Sequence, residues 1–491
     1  MKSLVAVGAS LALSGIVLGL SACIDRASES DEGDAAAAKP SAAAAGDIVE
    51  PPANPYPSAY APYPSPATLV KGAAILIGDG QSFDKADILI EGGRISAVGD
   101  SLTAPEGARV IDGGGKWVTP GIIDVHSHLG VYATPSTPAT QDGNEMTDPV
   151  TPHVWAEHSV WTQDPGFSRA LAGGVTSLQI LPGSANLFGG RTVTLKNVPA
   201  RTVQEMKFPD APYGLKMACG ENPKRVYGGG GNRAPATRMA NFAGYRAAFA
   251  EASEYRRSWD AYREKVEGGD KDAAPPSRNL KMETLAGVLS GDILVHMHCY
   301  RADEMAFVLD MAEEFGYRLA SFQHAVEAYK IADLLAEQEV CAAVWADWWG
   351  FKLEAYDAIE ENAALIEKAG ACAVIHSDSA EGIQRLNQET GKAMAAGQAI
   401  GLDIGPAEAI RWITSNPAKS LGIYDEVGSL EAGKAADVVV WNGDPFSVYT
   451  QAEKVFIDGA LLFDRDDPAL SPRSDFELGQ LGAGGAGGAG Q

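Results

Sequence analysis

The sequence predicts an α/β protein in which a (β/α)8 TIM-like barrel is joined to a small β-sandwich domain formed by the two ends of the chain. Two observations carry this prediction. In the middle of the chain, eight short apolar runs with strand character alternate with helical segments, which is the pattern of a parallel β/α barrel. On both sides of this region, β-rich runs punctuated by glycine and aspartate indicate two halves of one antiparallel domain.

The chain begins with the pattern of a bacterial lipoprotein signal peptide, residues 1–23. An early lysine is followed by an apolar stretch that is short for a membrane span, and then by small residues. The sequence LSAC, which ends at Cys23, resembles a lipoprotein cleavage box, and this implies a lipid on that cysteine. Ile24 follows it, which by the same resemblance implies an exported, lipid-anchored protein of the outer membrane that faces the periplasm. A plain signal peptide with an incidental cysteine is the alternative.

Composition divides the rest of the chain into five segments. Residues 24–67 are rich in alanine, proline and acids and are predicted to be a disordered linker, and the glycine-rich residues 466–491 a flexible tail. Residues 68–119 and 425–465 are the predicted halves of the β-domain. Residues 120–424 are the predicted barrel.

Charge and cysteine content exclude some partners. A formal net charge of −25 argues against a nucleic-acid partner, because phosphates are repelled. Four cysteines besides Cys23 lie at or near the ends of apolar runs, which favours buried free thiols over a disulfide framework; they are Cys219, Cys299, Cys341 and Cys372. If the protein is exported, a disulfide between some of these cysteines is the alternative.

The barrel prediction places an active site at the C-terminal ends of the strands, where the connecting loops gather. His126 and His128 lie one residue apart on the first strand, so their side chains face the same way. Two buried imidazoles need a shared partner, and a metal ion is the obvious one. Further candidate ligands lie at the ends of, or within, later strands, namely Lys216, His296, His298, His324 and Asp378.

On these motifs the chain resembles the metal-dependent amidohydrolase superfamily over roughly residues 68–465, and within it the branch of imidazolonepropionase and the binuclear prolidases. The motifs are TPGIIDVHSH, GGVTSLQI, GLKMACGENPKR, LVHMHCYRADEM, VIHSDS, TSNPAKSLGI and GSLEAGKAADVVVW. The resemblance implies one or two divalent metal ions, with zinc expected, and His126 and His128 as ligands of the more buried ion.

Lys216 resembles the lysine that reacts with carbon dioxide and bridges two metals as N6-carboxylysine. Burial of a lysine in an apolar strand lowers its pKa and leaves a nucleophilic amine. Lys196 is a rival for this role, and a lysine that only snorkels from a strand end is the alternative. Without a carbamate, one metal held by the first-strand histidines, a fifth-strand histidine and Asp378 suffices.

The fifth and sixth strands leave two assignments open. The resemblance makes His296 the ligand and His298 a substrate-facing residue, and the reverse assignment is the alternative. His324 resembles a ligand of the second metal or, in one-metal relatives, a catalytic group that polarises the substrate. His376 is expected to pack one layer deeper in the barrel.

Asp378 has the clearest predicted catalytic role. A divalent metal lowers the pKa of bound water to near ~7, and a carboxylate beside it can take the proton and pass it to the leaving nitrogen. Three residues that follow strand ends, Arg225, Tyr300 and Arg301, are predicted to bind a substrate carboxylate. Trp348 and Trp349, just past the seventh strand, suit an apolar pocket wall.

The predicted activity is metal-dependent hydrolysis of an amide-type C–N bond in a peptide-like or N-acyl amino acid substrate. A cyclic amidase of the imidazolonepropionase type is the alternative within the enzyme class. A metal-free scaffold protein is a third interpretation, which the filled ligand positions disfavour. The expected partners are a small-molecule or dipeptide-like substrate and, through the lipid, the membrane; a homo-oligomer is left open.

Overall fold

The computed structural model describes residues 48–470 apart from residues 53 and 232. The predicted signal peptide with Cys23 and residues 471–491 of the predicted tail lie outside the described residues. Among the helices of the described residues, none is long and apolar enough to cross a bilayer.

The strands of the described chain fall into three runs, β1–β5, β6–β13 and β14–β16. The α-helices lie between the strands of the middle run and directly after it. The strands are β1 Thr68–Leu76, β2 Ser82–Glu91, β3 Arg94–Gly99, β4 Arg109–Asp112, β5 Trp117–Pro120, β6 Ile122–Ser127, β7 Val175–Ile180, β8 Phe188–Lys196, β9 Tyr213–Ala218, β10 Ile293–His298, β11 Leu319–Gln323, β12 Cys341–Val344, β13 Cys372–Ile375, β14 Val438–Trp441, β15 Ala452–Ile457 and β16 Ala460–Asp464. The α-helices are α1 Pro165–Ala172, α2 Val203–Met206, α3 Glu221–Gly231, α4 Arg238–Glu267, α5 Leu280–Ser290, α6 Ala302–Phe315, α7 Ala332–Glu337, α8 Asn362–Lys368, α9 Leu386–Ala399, α10 Pro406–Ala409 and α11 Ser415–Leu421.

The two ends of the described chain build one eight-stranded sheet, in the order β16-β15-β14-β5-β1-β2-β3 with β4 paired to β1. Strand β14 pairs antiparallel with β5 and so joins the two halves. Val438 and Val440 of β14 belong to the core of this domain, whereas Val439 and Trp441 pack into the barrel core. Because both faces of β14 are buried, its sequence VVVW is a continuous apolar run rather than an alternating one.

The middle of the chain forms the predicted barrel from strands β6 to β13. Hydrogen bonds from Ser377 N to Asp124 Oδ1 (3.2 Å) and from Asp378 N to His126 O (3.0 Å) bring the chain after β13 against β6. The expectation that every strand is parallel is wrong for β8, which runs antiparallel to both β7 and β9. Residues 181–187 are too few for a helical crossover, so β7 and β8 form a hairpin instead.

The reversed direction of β8 removes Lys196 as a rival for Lys216. Lys196 lies at the end of the barrel that faces the β-domain, where its Nζ is 2.8 Å from Asp458 Oδ1 and 3.5 Å from Asp437 Oδ1. All three side chains are largely buried. Lys196 therefore acts as an ionic link between the barrel and the β-domain.

The prediction of a disordered linker over residues 24–67 is wrong for the part that the structure describes, residues 48–67. Ser58 Oγ donates to Lys207 O (2.6 Å), Ala59 N donates to Gln204 O (2.9 Å), and the Tyr60 hydroxyl binds Asp458. The composition of this segment shows that it cannot build a core by itself. It does not show that tyrosines and backbone groups find partners on the barrel and on the β-domain.

The expectation of free thiols is also wrong, because the four cysteines form two disulfides. Cys219–Cys299 joins the residues just past β9 and β10, and Cys341–Cys372 joins the first residues of β12 and β13. Cys341 and Cys372 are register partners in neighbouring parallel strands. Strand neighbourhood and register decide this pairing, and neither is visible in the linear sequence.

Candidate active site

Side chains from the ends of β6, β9, β10, β11 and β13 converge inside one end of the barrel. Most are fully buried, but the side chains of His128 and Asp378 are 17% and 26% exposed. The cluster therefore opens to solvent on the side of these two residues. This placement agrees with the general position of active sites at the C-terminal ends of barrel strands.

His126 and His128 offer the same ring nitrogen to the centre of the cluster. His128 Nδ1 lies 2.8 Å from Leu181 O, and His126 Nδ1 lies 3.0 Å from Gln323 Oε1, so each Nδ1 carries the proton. Each Nε2 is left with a lone pair. The Nε2 atoms of His126 and His128 lie 3.5 Å and 3.2 Å from Asp378 Oδ1. Hydrogen bonds from Nδ1, such as those to Leu181 O and Gln323 Oε1, fix the orientation of a histidine that binds a metal through its other ring nitrogen.

Asp378 is held at the centre by its backbone and by its neighbours. Its φ of 49° is left-handed, as is the φ of 68° at His324, and such backbone strain in non-glycine residues is typical of functional sites. Burial acts to raise the pKa of Asp378, but the nitrogen groups that surround its carboxyl, of which the His128 ring is the nearest, outweigh burial and lower the pKa. Asp378 is therefore an ionised carboxylate at neutral pH.

Lys216 lies fully buried beside the first-strand histidines. Its Nζ is 3.3 Å from His126 Nε2 and donates to Pro182 O at 3.2 Å. Burial lowers the pKa of Lys216 to about 7, with Asp378 opposing the shift. A large fraction of this amine is therefore neutral near pH 7, which is the form that reacts with carbon dioxide.

The two histidines of β10 lie in different surroundings, and these favour the reverse assignment. His296 Nδ1 is 2.8 Å from Ser321 Oγ and its Nε2 is 3.1 Å from Gln179 Nε2, so both ring nitrogens are occupied. His298 Nδ1 is buried and makes no hydrogen bond to any described residue. This difference favours His298 as the fifth-strand ligand, and the choice between the two histidines stays a prediction.

His324 and His376 form a contact that the sequence interpretation missed. His376 Nε2 lies 2.9 Å from His324 Nδ1, and both rings lie within about 5 Å of the His126 ring. His376 was expected one layer deeper, but it lies directly against the candidate ligands. His324 Nε2 is 3.8 Å from Asp378 Oδ2, on the other side of that carboxylate from His128.

The donor atoms fit one or two metal ions. Within the described residues, His126, His128 and Asp378 present ligand atoms that all lie within 4.8 Å of one another, and so do His126, His324 and His376. Burial is the main cause that lowers the pKa values of His126 and His324 well below the ordinary value, so these rings stay neutral and able to ligate. His298 belongs to neither group, but its Nδ1 is buried and makes no hydrogen bond to any described residue.

Of the three predicted carboxylate-binding residues, only Tyr300 lies against the cluster. Its ring is 5.0 Å from the His298 ring and 5.5 Å from the His324 ring. The Arg301 guanidinium makes two hydrogen bonds to Asp303 at 2.8–2.9 Å, and its role as a substrate clamp stays a prediction. Arg225 is exposed on α3, and its role stays a prediction.

The loop after β12 supplies further candidate functional residues, which the sequence interpretation only partly identified. Trp345 stacks on His324 (4.5 Å between centroids) and Trp348 stacks on Trp345 (5.4 Å), whereas Trp349 is exposed. Lys352 of the same loop lies over the Tyr300 ring with its Nζ 3.8 Å from the centroid. The available signal was a lysine at the end of the aromatic run DWWGFK.

Comparison with known proteins agrees with this geometry. The family whose sequence model matches the chain is the Amidohydrolase family, over residues 117–462. A solved amidohydrolase structure from Thermotoga maritima is 37% identical, with a TM-score of 0.74, and the match covers 81% of this chain and all of that chain.

Two curated relatives match over similar lengths of the chain. Amidohydrolase tasK of Hapsidospora irregularis is 33% identical over 413 residues, which are 80% of this chain but 41% of that protein, so the chain spans about two fifths of it. Imidazolonepropionase of Mesorhizobium japonicum is 25% identical over 77% of this chain and 90% of that protein.

Proposed function

Because the chain belongs to the amidohydrolase family, and is therefore a hydrolase acting on carbon–nitrogen bonds, we propose that its substrate is a peptide-like or N-acyl amino acid amide. The proposal includes one or two divalent metal ions, with zinc as the metal. The observation that carries it is the convergence of neutral imidazoles and one ionised carboxylate around a buried lysine amine of lowered pKa.

The ligand set divides around Asp378. His126, His128 and Asp378 would hold one ion, and His298, His324 and a carboxylated Lys216 would contribute to a second. Such an ion, when bound, polarises the carbonyl of the substrate and lowers the pKa of a bound water to near ~7. Nitrogen ligands and carboxylates are the donors that zinc prefers.

Formation of a carbamate at Lys216 requires no reagent other than carbon dioxide. The neutral Nζ forms a bond to the carbon of carbon dioxide as one C=O π bond breaks, and the nitrogen releases one proton, so that a buried neutral amine is replaced by an anion. Among the described residues the amine has only Pro182 O and His126 as hydrogen-bond partners, and bound metal ions would compensate the charge of the anion. The carbamate also supplies two oxygen atoms at the point where the histidines of β6, β10 and β11 meet.

Asp378 is suited to move the proton of the reaction. Its Oδ1 faces His128 and its Oδ2 faces His324, so a water between these groups lies within reach of an ionised carboxylate. The carboxylate accepts the proton as the water attacks the amide carbon, and then donates it to the departing nitrogen as the C–N bond breaks. This shuttle avoids the expulsion of an unprotonated amine.

A cyclic amide is the second candidate substrate class. The relative imidazolonepropionase covers 77% of this chain, and this observation favours it. Both candidates require the same attack on a carbonyl carbon. Hydrolysis of a linear amide gives two molecules, whereas hydrolysis of a cyclic amide gives one ring-opened molecule. Substrate-binding residues, rather than the metal ligands, must therefore discriminate between them.

The test is a substrate screen of the purified protein with and without zinc and a chelator. We expect bound zinc, hydrolysis of dipeptides or N-acyl amino acids, and loss of activity on chelation that zinc restores. Hydrolysis of cyclic ureides alone would favour the second candidate. Protein that binds no metal, or activity that a chelator leaves intact, would contradict the proposed mechanism.

A further inference from the structure

Lys352 is a largely buried cation beside the candidate active site. Its side chain is 16% exposed, and its Nζ lies 3.6 Å from Glu354 Oε2 and 3.9 Å from Glu221 Oε1. Hydrogen bonds between an ammonium and a carboxylate are normally 2.7–2.9 Å long. Lys352 thus has acidic neighbours but no close hydrogen-bond partner among them.

Glu354 is shared between Lys352 and Arg238, and its Oε2, the oxygen nearer to Lys352, makes no hydrogen bond to any described residue. Arg238 binds both Glu354 and Glu304, with 2.7 Å between Arg238 Nε and Glu304 Oε2. Glu221 is a partly exposed residue at the start of α3. A buried cation with long contacts is incompletely compensated, and an incoming carboxylate would complete its coordination.

Lys352 lies near the candidate ligands, because Lys352 and two of those ligands contact the same Tyr300 ring. Lys352 Nζ is 3.8 Å from the centroid of the Tyr300 ring, and that ring lies 5.0 Å from the His298 ring and 5.5 Å from the His324 ring. One residue of extended chain spans ~3.5 Å. A carboxylate bound at Lys352 therefore lies one residue or two from an amide bond at the metal ligands.

An aromatic surface continues from the cluster to the same loop. Trp345 stacks on His324, Trp348 stacks on Trp345, and Phe351 contacts both Trp345 and Tyr300 at ring distances of 5.8 Å and 6.4 Å. Trp348 is 41% exposed and Phe351 is 57% exposed. Exposed aromatic faces beside a catalytic cluster suit a large apolar side chain of the substrate.

We propose that Lys352 binds the free carboxylate of the substrate and that Trp348 and Phe351 contact the side chain of the residue that bears it. The substrate class is thus an N-acyl aromatic amino acid or a dipeptide with an aromatic C-terminal residue. This inference rests on the proposed hydrolase function, because it places the scissile amide next to that carboxylate. It assigns to Lys352 the role that the sequence interpretation gave to Arg225, Tyr300 and Arg301.

The test separates binding from turnover. Binding is measured by tryptophan fluorescence in an Asp378→Asn background, with N-acetyl-L-phenylalanine, its primary amide N-acetyl-L-phenylalaninamide, and N-acetylglycine as probes. We expect the acid to bind at least about tenfold more tightly than its amide. Lys352→Gln should abolish this difference, and Lys352→Arg should retain part of it.

A matched control is Lys330→Gln, which removes a lysine paired with Asp357 outside the cluster and should leave the preference unchanged. Trp348→Ala should weaken N-acetyl-L-phenylalanine more than N-acetylglycine. In the otherwise wild-type enzyme, Lys352→Gln should raise KM for acid substrates about tenfold or more while kcat changes less than about threefold. Circular dichroism verifies that each variant is folded.

The outcomes distinguish this inference from the proposed function. Equal affinities for acid and amide, or a preference that survives in a folded Lys352→Gln variant, would overturn the inference even if amides are hydrolysed. A carboxylate preference that depends on Lys352, in a protein that hydrolyses no amide of the panel, would support the inference and refute the proposed function.

Discussion

His128 Nε2 and Asp378 Oδ1 lie 3.2 Å apart, although the two residues belong to the first strand of the barrel and to the segment after its last strand. The backbone hydrogen bond from Asp378 N to His126 O holds the two chain segments together at this point. The contacts that close the barrel are therefore the ones that bring the residues of the candidate site together.

Asp378→Asn should keep the bound metal and lose turnover by about 10²–10⁴-fold, because the amide cannot accept and return the proton. Metal analysis and steady-state kinetics measure the two effects. Asp357→Asn, at an exposed residue paired with Lys330, is the control and should retain full activity. Wild-type turnover in Asp378→Asn would remove this residue from the mechanism.

Lys216→Met should reduce the metal content from two ions to one per chain, because the variant cannot form a carbamate. Lys196→Met is the matched control, since it also changes a buried barrel lysine. It should keep both ions but lower the free energy of unfolding by about 3–5 kcal/mol, because Asp437 and Asp458 lose their buried partner. Two ions bound to Lys216→Met would refute the role of Lys216 in holding the second ion.

The disulfides should differ in their effect on activity. Replacement of Cys341 and Cys372 by alanine should lower the free energy of unfolding by about 3–4 kcal/mol, since the bond closes a segment with a sequence separation of 31. The same change at Cys219 and Cys299 should also lower activity, because Cys299 follows His298 and Cys219 N donates to His298 O at 2.8 Å. Equal loss of kcat/KM in both pairs would contradict this difference.

Asp437 should give the stability of the protein an unusual dependence on pH. Burial raises the pKa of its carboxyl from 3.8 to about 6, with Lys196 opposing the rise. Between these values the unfolded chain releases a proton that the folded protein keeps, so the contribution of Asp437 to stability falls as the pH rises.

Asp437→Asn removes that titration, and urea unfolding of both proteins between about pH 4 and pH 7 measures it. The free energy of unfolding of the wild type relative to the variant should decrease with pH by on the order of 1–3 kcal/mol. The exposed Asp84→Asn variant is the control. A difference that stays constant over this range would show that the carboxyl titrates at its ordinary pKa.

The lipid anchor stays a prediction, because residues 1–23 lie outside the described residues. Cys23→Ala should move the protein from the membrane fraction to the soluble fraction of the cell, as measured by fractionation and immunodetection. No redistribution would refute the anchor and leave a plain signal peptide as the better interpretation.

Residues that one strand carries on one face could be predicted well. His126 and His128 share a face because side chains alternate along a strand, and no tertiary information is needed. The strand-end positions of His324 and Asp378 followed from the alternation of apolar runs and helices. These are local patterns, and local patterns determine secondary structure and fold class.

The choice between His296 and His298 could not be made from the sequence. Both face the barrel interior, one layer apart, and the layer that contains Ser321 and Gln179 satisfies His296. Ser321 and Gln179 come from other strands, so their level along the barrel axis decides which of the two histidines is hydrogen-bonded. Lys352 was missed for a related reason, because it belongs to a loop whose path depends on the aromatic residues that pack on His324.

By itself, the sequence determined the barrel, the split β-domain and a candidate metal-binding set of histidines with Asp378, because periodicity and residue chemistry are written along the chain. The tertiary structure alone decided the direction of β8, the two disulfides and the separate fates of Lys196 and Lys216. Each of these depends on which strands are neighbours and in which register, a relation between distant segments that packing of the whole core sets.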